Sequence, residues 1–112
     1  MPRSFASNSL RVPSQDCMHC PRLVEYRESY RANNPDWHNA PVPAFGSLTA
    51  RFLIVGMAPG LKGANKSGRP FTGDFAGELL FTTLVKFGWA RGTYGASVND
   101  GLCLEDCRLT NA

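Results

Sequence analysis

Between residues 52 and 55 four apolar side chains stand in an unbroken row, Phe52-Leu53-Ile54-Val55, and Gly56 ends it. A short continuous apolar run predicts a buried strand. An uninterrupted one of this kind suits a parallel sheet covered on both faces. Upstream, Leu23, Tyr26 and Tyr30 recur at helical spacing behind Pro21, a residue suited to a first helical position, so a helix is expected from Pro21 through Arg31. Downstream, Phe75, Leu79, Leu84 and Phe87 are expected to share one face of a second helix over 75–87, with Gly88 as its cap. Cys107-Arg108-Leu109-Thr110 predicts a further strand.

The intervening stretches lack a period. Residues 1–16 are expected to form a loose arm, 33–46 a connector dense in Pro and Asn, 58–73 a long Gly-rich loop and 90–101 a turn region. Strand, loop, helix, strand is one right-handed crossover unit of an α/β sheet.

Composition narrows this to one small domain of 112 residues. The start, Met1-Pro2-Arg3-Ser4, lacks the apolar stretch of a signal peptide and no run is long enough to span a bilayer, so a cytoplasmic protein with no membrane partner is expected. Twelve Lys and Arg against nine Asp and Glu leave a charge of +3, which suits a phosphate-bearing partner but does not demand one. Four cysteines without an export signal argue for a metal site, a cluster or buried thiols rather than a disulfide framework.

The distinctive chemistry lies in the loop from Gly56 to Asp74, at the carboxyl end of a strand and the amino end of a helix, where open α/β sheets bind ligands. A helix start offers unpaired N–H donors and a positive dipole end to a negative group. A nucleotide-binding P-loop fits poorly, because Asn65 precedes Lys66 where Gly is required and Pro59 removes a backbone donor.

Gly56-x-Ala58-Pro59-Gly60, followed by Gly63-x-Asn65-x-Ser67-Gly68-Arg69-x-Phe71-Thr72-Gly73-Asp74, resembles the first active-site motif of family-five uracil-DNA glycosylases, with family four a near relative. The resemblance extends to Cys17-x-x-Cys20-Pro21-Arg22-Leu23, to Pro41-Val42-Pro43-x-Phe45-Gly46 and to the closing Arg108-Leu109-Thr110-Asn111-Ala112, and so covers most of 17–112. It implies a three-layer α/β/α sandwich with a mostly parallel central sheet. The implied activity is base-excision repair: uracil is flipped out of DNA and the base–sugar bond hydrolysed.

Such a reaction needs a stacking surface for the base, donors for the departing anion and a polar group for the sugar cation and water. Phe71 is the candidate platform, with burial under the loop as its plainer role. The backbone around Gly56, Met57 and Ala58 is the candidate oxyanion site, and Asn111 the reader of the uracil edge. Ala58 stands where other families carry an acidic residue. Asp74, or second Asn65, is therefore the candidate for the catalytic duty, although Asp74 is equally suited to capping its helix. Lys62, Lys66 and Arg69 are candidate phosphate contacts.

Families four and five carry a 4Fe–4S cluster on four thiolates, and Cys17 and Cys20 match the first pair. Cys103 and Cys107 do not match the second pair. Their spacing leaves open zinc on all four cysteines, although Cys107 is expected to face the core, and the alternative function is a non-catalytic DNA-binding module that holds zinc or an iron–sulfur cluster. His19 and His38 are expected at the surface. The resemblance also implies later motifs that residues 1–112 do not contain. The expectation is therefore an amino-terminal portion of the enzyme, inactive by itself, with uracil-containing DNA as partner and no obligate protein partner.

Overall fold

The computed structural model describes residues 13–112, so the expected arm over 1–16 lies almost wholly outside the described residues. Pro21 opens helix α1, Pro21–Asn33, which follows Cys20 in extended conformation and ends where the Asn34 N–H bonds Tyr30 O. The apolar row forms β2, Phe52–Gly56, and the later one forms β5, Cys107–Asn111. These two run parallel and pair residue for residue, Ile54 with Leu109 and Gly56 with Asn111. A short β1, Phe45–Gly46, lies antiparallel on the other side of β5, giving the order β1-β5-β2. The parallel pair joined through a helix establishes the α/β class.

Asp74 caps the connecting helix, α3, Phe75–Lys86, by accepting the Gly77 N–H at 3.1 Å. At its far end Gly88 N–H reaches Val85 O and Trp89 N–H reaches Leu84 O, the paired bonds that accompany a left-handed glycine, here with φ +82°. The buried face differs from the one expected. Gly77, Phe81 and Leu84 point inward, whereas Phe75, Leu79 and Phe87 are largely exposed. At 3.6 residues per turn Leu84 stands roughly half a turn around from Phe75, so the four apolar positions never shared a face. Phe81 and Leu84 join Cys107 and Leu109 of β5, with Ala90 and Leu102, in one core cluster.

Besides β1, which falls at the end of the expected connector, two features escaped the sequence reading. Within the long loop a single turn of helix forms, α2, Ala64–Ser67, and the turn region contains half of a hairpin, β3, Ala90–Arg91, paired antiparallel with β4, Cys103–Leu104. The expectation of a sheet covered on both faces also needs correction. Leu53 and Val55 are 54% and 55% exposed, and β2 has no neighbour on its outer edge among the described residues. Among the described residues one helical layer of the expected sandwich covers this sheet. No helix among the described residues is long and apolar enough to cross a membrane.

Candidate active site at the strand tips

Register partners in a parallel pair point their side chains to the same side of the sheet. Gly56 and Asn111 are such partners at the carboxyl ends of β2 and β5, and the Ala112 N–H fastens the tip by bonding Gly56 O at 2.8 Å. A third residue closes on the same point. A Cβ added to Gly56 would lie 2.6 Å from Phe71 Cζ and 2.7 Å from Asn111 Oδ1, so the ring and the carboxamide converge where this glycine has no side chain. Asn111 Nδ2 is buried and has no hydrogen-bond partner among the described residues. Phe71 itself is half-buried, its ring in contact with the core cluster on one side.

Phe71 reaches this position from a backbone at φ +56°, a left-handed conformation that bulky residues rarely adopt. The turn around it is tied on every side. Ser67 Oγ donates to Thr72 O at 2.7 Å, Thr72 Oγ1 donates to Pro70 O at 3.0 Å, and the Gly73 N–H donates to the Tyr94 hydroxyl at 3.0 Å. Tyr94 in turn stacks on Phe81 of the core, with ring centroids 4.9 Å apart.

Arg69 belongs to this scaffold, which corrects the expectation that it meets phosphate. Its side chain is 6% exposed and its guanidinium is turned inward: Nη1 and Nη2 donate to the two carboxylate oxygens of Asp100 at 2.9 and 2.8 Å, and Nε donates to Thr72 Oγ1 at 2.8 Å. The rings of Phe45 and Phe81 lie against the cation at 4.9 and 5.3 Å. Asp100 also accepts the backbone N–H groups of Gly95 and Leu102.

The Arg69 hydrogen bonds, helped by these backbone donors, hold the Asp100 carboxyl well below the usual carboxylate range. A carboxylate whose pKa is depressed on folding contributes stability above its unfolded pKa, about 4, and that stability is lost as pH falls below it. The urea midpoint is therefore expected to fall between about pH 5 and about pH 2, and Asp100→Asn to flatten that dependence. Asp106, lowered by the Arg51 backbone N–H and guanidinium at the surface, acts in the same direction, so Asp106→Asn is the comparison variant.

The two candidates for catalytic duty have structural partners. Asp74 Oδ1 caps α3, while Oδ2 faces the backbone of Gly63 and Gly60; a Cβ on Gly63 would come within 2.6 Å of it. Asn65 Nδ2 donates to Asn39 Oδ1 at 3.0 Å, and the Asn39 N–H returns a bond to Asn65 O. Asn39, 1% exposed, also donates to Asn34 O, and so pins the loop to the Pro- and Asn-rich connector. Met57 is 91% exposed, and the Met57 and Ala58 N–H groups make no turn or loop bond among the described residues. Lys62 and Lys66 line a cleft of about 560 Å³ with Trp37, whose ring lies 5.6 Å from Lys66 Nζ.

Cys17 and Cys20 open onto a second cleft of about 460 Å³, bounded by Tyr26, Tyr30 and Val42 and by Ala58, Pro59 and Asn65 of the loop. Both thiols are free. The four-cysteine zinc arrangement is not assembled: among the described residues no three His, Cys, Asp or Glu side chains group to hold a metal ion. Cys107 is fully buried in the core, as its place in a strand implied, and burial pushes its thiol pKa up. His38 is half-buried rather than at the surface, with Nε2 at 3.0 Å from Pro41 O.

Asp100, Tyr94 and Asn39 were not foreseen. Each acts through partners distant in sequence, Asp100 on a residue 31 positions away; only Asp100-Gly101, a turn pair, carried any local signal.

A sequence model of the Uracil DNA glycosylase superfamily matches residues 43–112. Among curated proteins the chain is 38% identical over 101 residues to a type-5 uracil-DNA glycosylase of Pyrobaculum aerophilum, a match spanning 87% of this chain and 45% of that protein. It is 41% identical over 101 residues to one of Mycobacterium leprae, across 84% of this chain and 44% of the relative. With one of Thermus thermophilus it shares 47% over 78 residues, 64% of this chain and 35% of the relative. The chain thus spans less than half the length of these relatives.

Proposed function

The chain belongs to the uracil DNA glycosylase superfamily, and from that premise we propose that its strand-tip site receives a uracil extruded from DNA, for hydrolysis of the base–sugar bond that leaves an abasic site in base-excision repair. One observation carries this: the Phe71 ring and the Asn111 carboxamide meet over Gly56, and Asn111 Nδ2 is buried without a partner. An unpaired buried donor costs roughly 1 to 3 kcal/mol, a penalty that a ligand acceptor removes. A flat ring beside an amide that offers both donor and acceptor suits the uracil edge, where O4 accepts and N3–H donates. Stacking on Phe71 adds roughly 1 to 3 kcal/mol.

In the reaction, the electron pair of the breaking bond passes to uracil N1 and a water adds to the sugar carbon. The free amides at Met57 and Ala58 suit the negative charge that spreads to the uracil oxygens. Asp74, with one oxygen fixed by the Gly77 N–H and the other over Gly60 and Gly63, is the candidate to take the water's proton; Asn65 is second. Lys62 and Lys66, on the cleft beside the loop, would meet phosphates. The iron–sulfur cluster of families four and five would take Cys17 and Cys20 as two thiolate ligands, a fit supported by two free thiols opening on one cleft.

The test is discrimination between uracil- and cytosine-containing oligonucleotides of otherwise identical sequence, read as binding. The uracil strand is expected to bind more tightly, and Phe71→Ala to weaken that binding while the Lys62 and Lys66 contribution, seen as salt dependence, persists. Equal treatment of the two strands by the unaltered protein contradicts the proposal.

A further inference from the structure

We propose that Asp100, outside the loop motif, is a positioning residue for base stacking: its two-oxygen grip on Arg69 holds the Arg69–Gly73 turn in the shape that lays the Phe71 ring against Gly56 and Asn111. This rests on the base-binding role assigned to Phe71. The left-handed backbone at Phe71 is unfavourable by itself, so the surrounding contacts must impose it. They converge on two side chains distant in sequence, Asp100 and Tyr94. Arg69, immediately before Pro70 and Phe71, is anchored through both terminal nitrogens by Asp100 and passes its third donor to Thr72 Oγ1, immediately after Phe71. The residues on either side of the ring are thereby tied to one carboxylate. Tyr94 holds Gly73, the next residue along. Asp100 is itself fixed by the Gly95 and Leu102 N–H groups, which makes the β3–β4 hairpin the support for the platform.

A planar guanidinium gripped through two oxygens has one geometry, whereas a single neutral acceptor would leave it free to swing. The role is therefore orientation, separable from general stability. Backbone hydrogen exchange in the whole chain distinguishes the two. In Asp100→Asn, exchange at the Thr72 and Gly73 amides should quicken roughly ten- to hundredfold, the size expected for a lost bond to a charged group. The Ile54 and Leu109 amides of β2 and β5 should keep their protection. Affinity for the uracil oligonucleotide should drop to that of Phe71→Ala, and combining the two substitutions should lower it no further. Asp106→Asn, which removes an exposed ion pair to Arg51, should change neither measurement.

Should Asp100→Asn fail to fold, Tyr94→Phe removes only the hydroxyl that holds Gly73, and exchange at Gly73 should still quicken selectively. Unchanged protection at Thr72 and Gly73, or equal acceleration across β2 and β5, overturns the positioning role. Additive losses in the double variant do so as well. An unaltered chain with no uracil preference overturns the base-binding role instead, a result read separately from the exchange data.

Discussion

Gly77→Ala should unfold the chain or come close to it. A Cβ at Gly77 would fall on the Phe71 carbonyl oxygen, 2.7 Å from its carbon and 3.2 Å from the Tyr94 hydroxyl. The obstacle is backbone, which has no rotamer to move into, so the cost should reach or exceed the upper end of over-packing penalties, about 3 kcal/mol. Relief would require the turn to lift away from α3, releasing the Asp74 cap and the Tyr94 contact together. Gly88→Ala gives the comparison. It has nothing within 4 Å and suffers only the left-handed strain of φ +82°, about 1 kcal/mol. Urea midpoints should separate the two clearly. A Gly77→Ala protein as stable as Gly88→Ala would mean that the turn does not press on α3.

Asn111→Leu should have opposite effects on stability and binding. Removing a buried donor that has no partner among the described residues, in favour of an apolar group of the same branched shape, should raise stability by about 1 kcal/mol. The same change deletes the carboxamide proposed to pair with the base edge, so affinity for a uracil oligonucleotide should fall on the order of ten- to hundredfold. A lower urea midpoint in Asn111→Leu would show that Nδ2 has a partner in the folded chain and is not held for a ligand.

The longer elements were readable because their signals are local: an unbroken apolar row for β2, Pro21 at the start of α1, Asp74 and Gly88 at the two ends of α3. What failed was direction. Phe75 and Leu79 are as apolar as Phe81, but which stripe of α3 meets the sheet is decided by the fit of Phe81 and Leu84 onto Cys107 and Leu109, and by Gly77, which lets the helix approach the Phe71 carbonyl. Leu53 and Val55 show the same limit for β2. Their hydropathy matches a covered sheet, yet that side is open among the described residues.

At the site, the loop motif pointed to Phe71 and the resemblance of the closing residues to Asn111; register sets Asn111 beside Gly56, and the loop brings the Phe71 ring to the same point. Arg69 was misjudged, because an arginine in a polar loop usually faces solvent and nothing near it in the sequence announces Asp100. Asp100 lies in a stretch whose two strands are two residues each, too short to leave a periodic pattern. The buried charge pair is where local reasoning gave way to tertiary structure, and it is the part of the scaffold closest to the proposed base platform.

The most direct measurement is a titration of the isotope-labelled chain with free uracil, followed by NMR. The Asn111 side-chain amide and the Phe71 ring signals should shift together and saturably, while the Trp37 indole stays in place. Cytosine, whose amino group would meet the Asn111 Nδ2 donor, should leave them unmoved. Shifts confined to the Trp37 cleft, or equal responses to both bases, would contradict a uracil site at the strand tips.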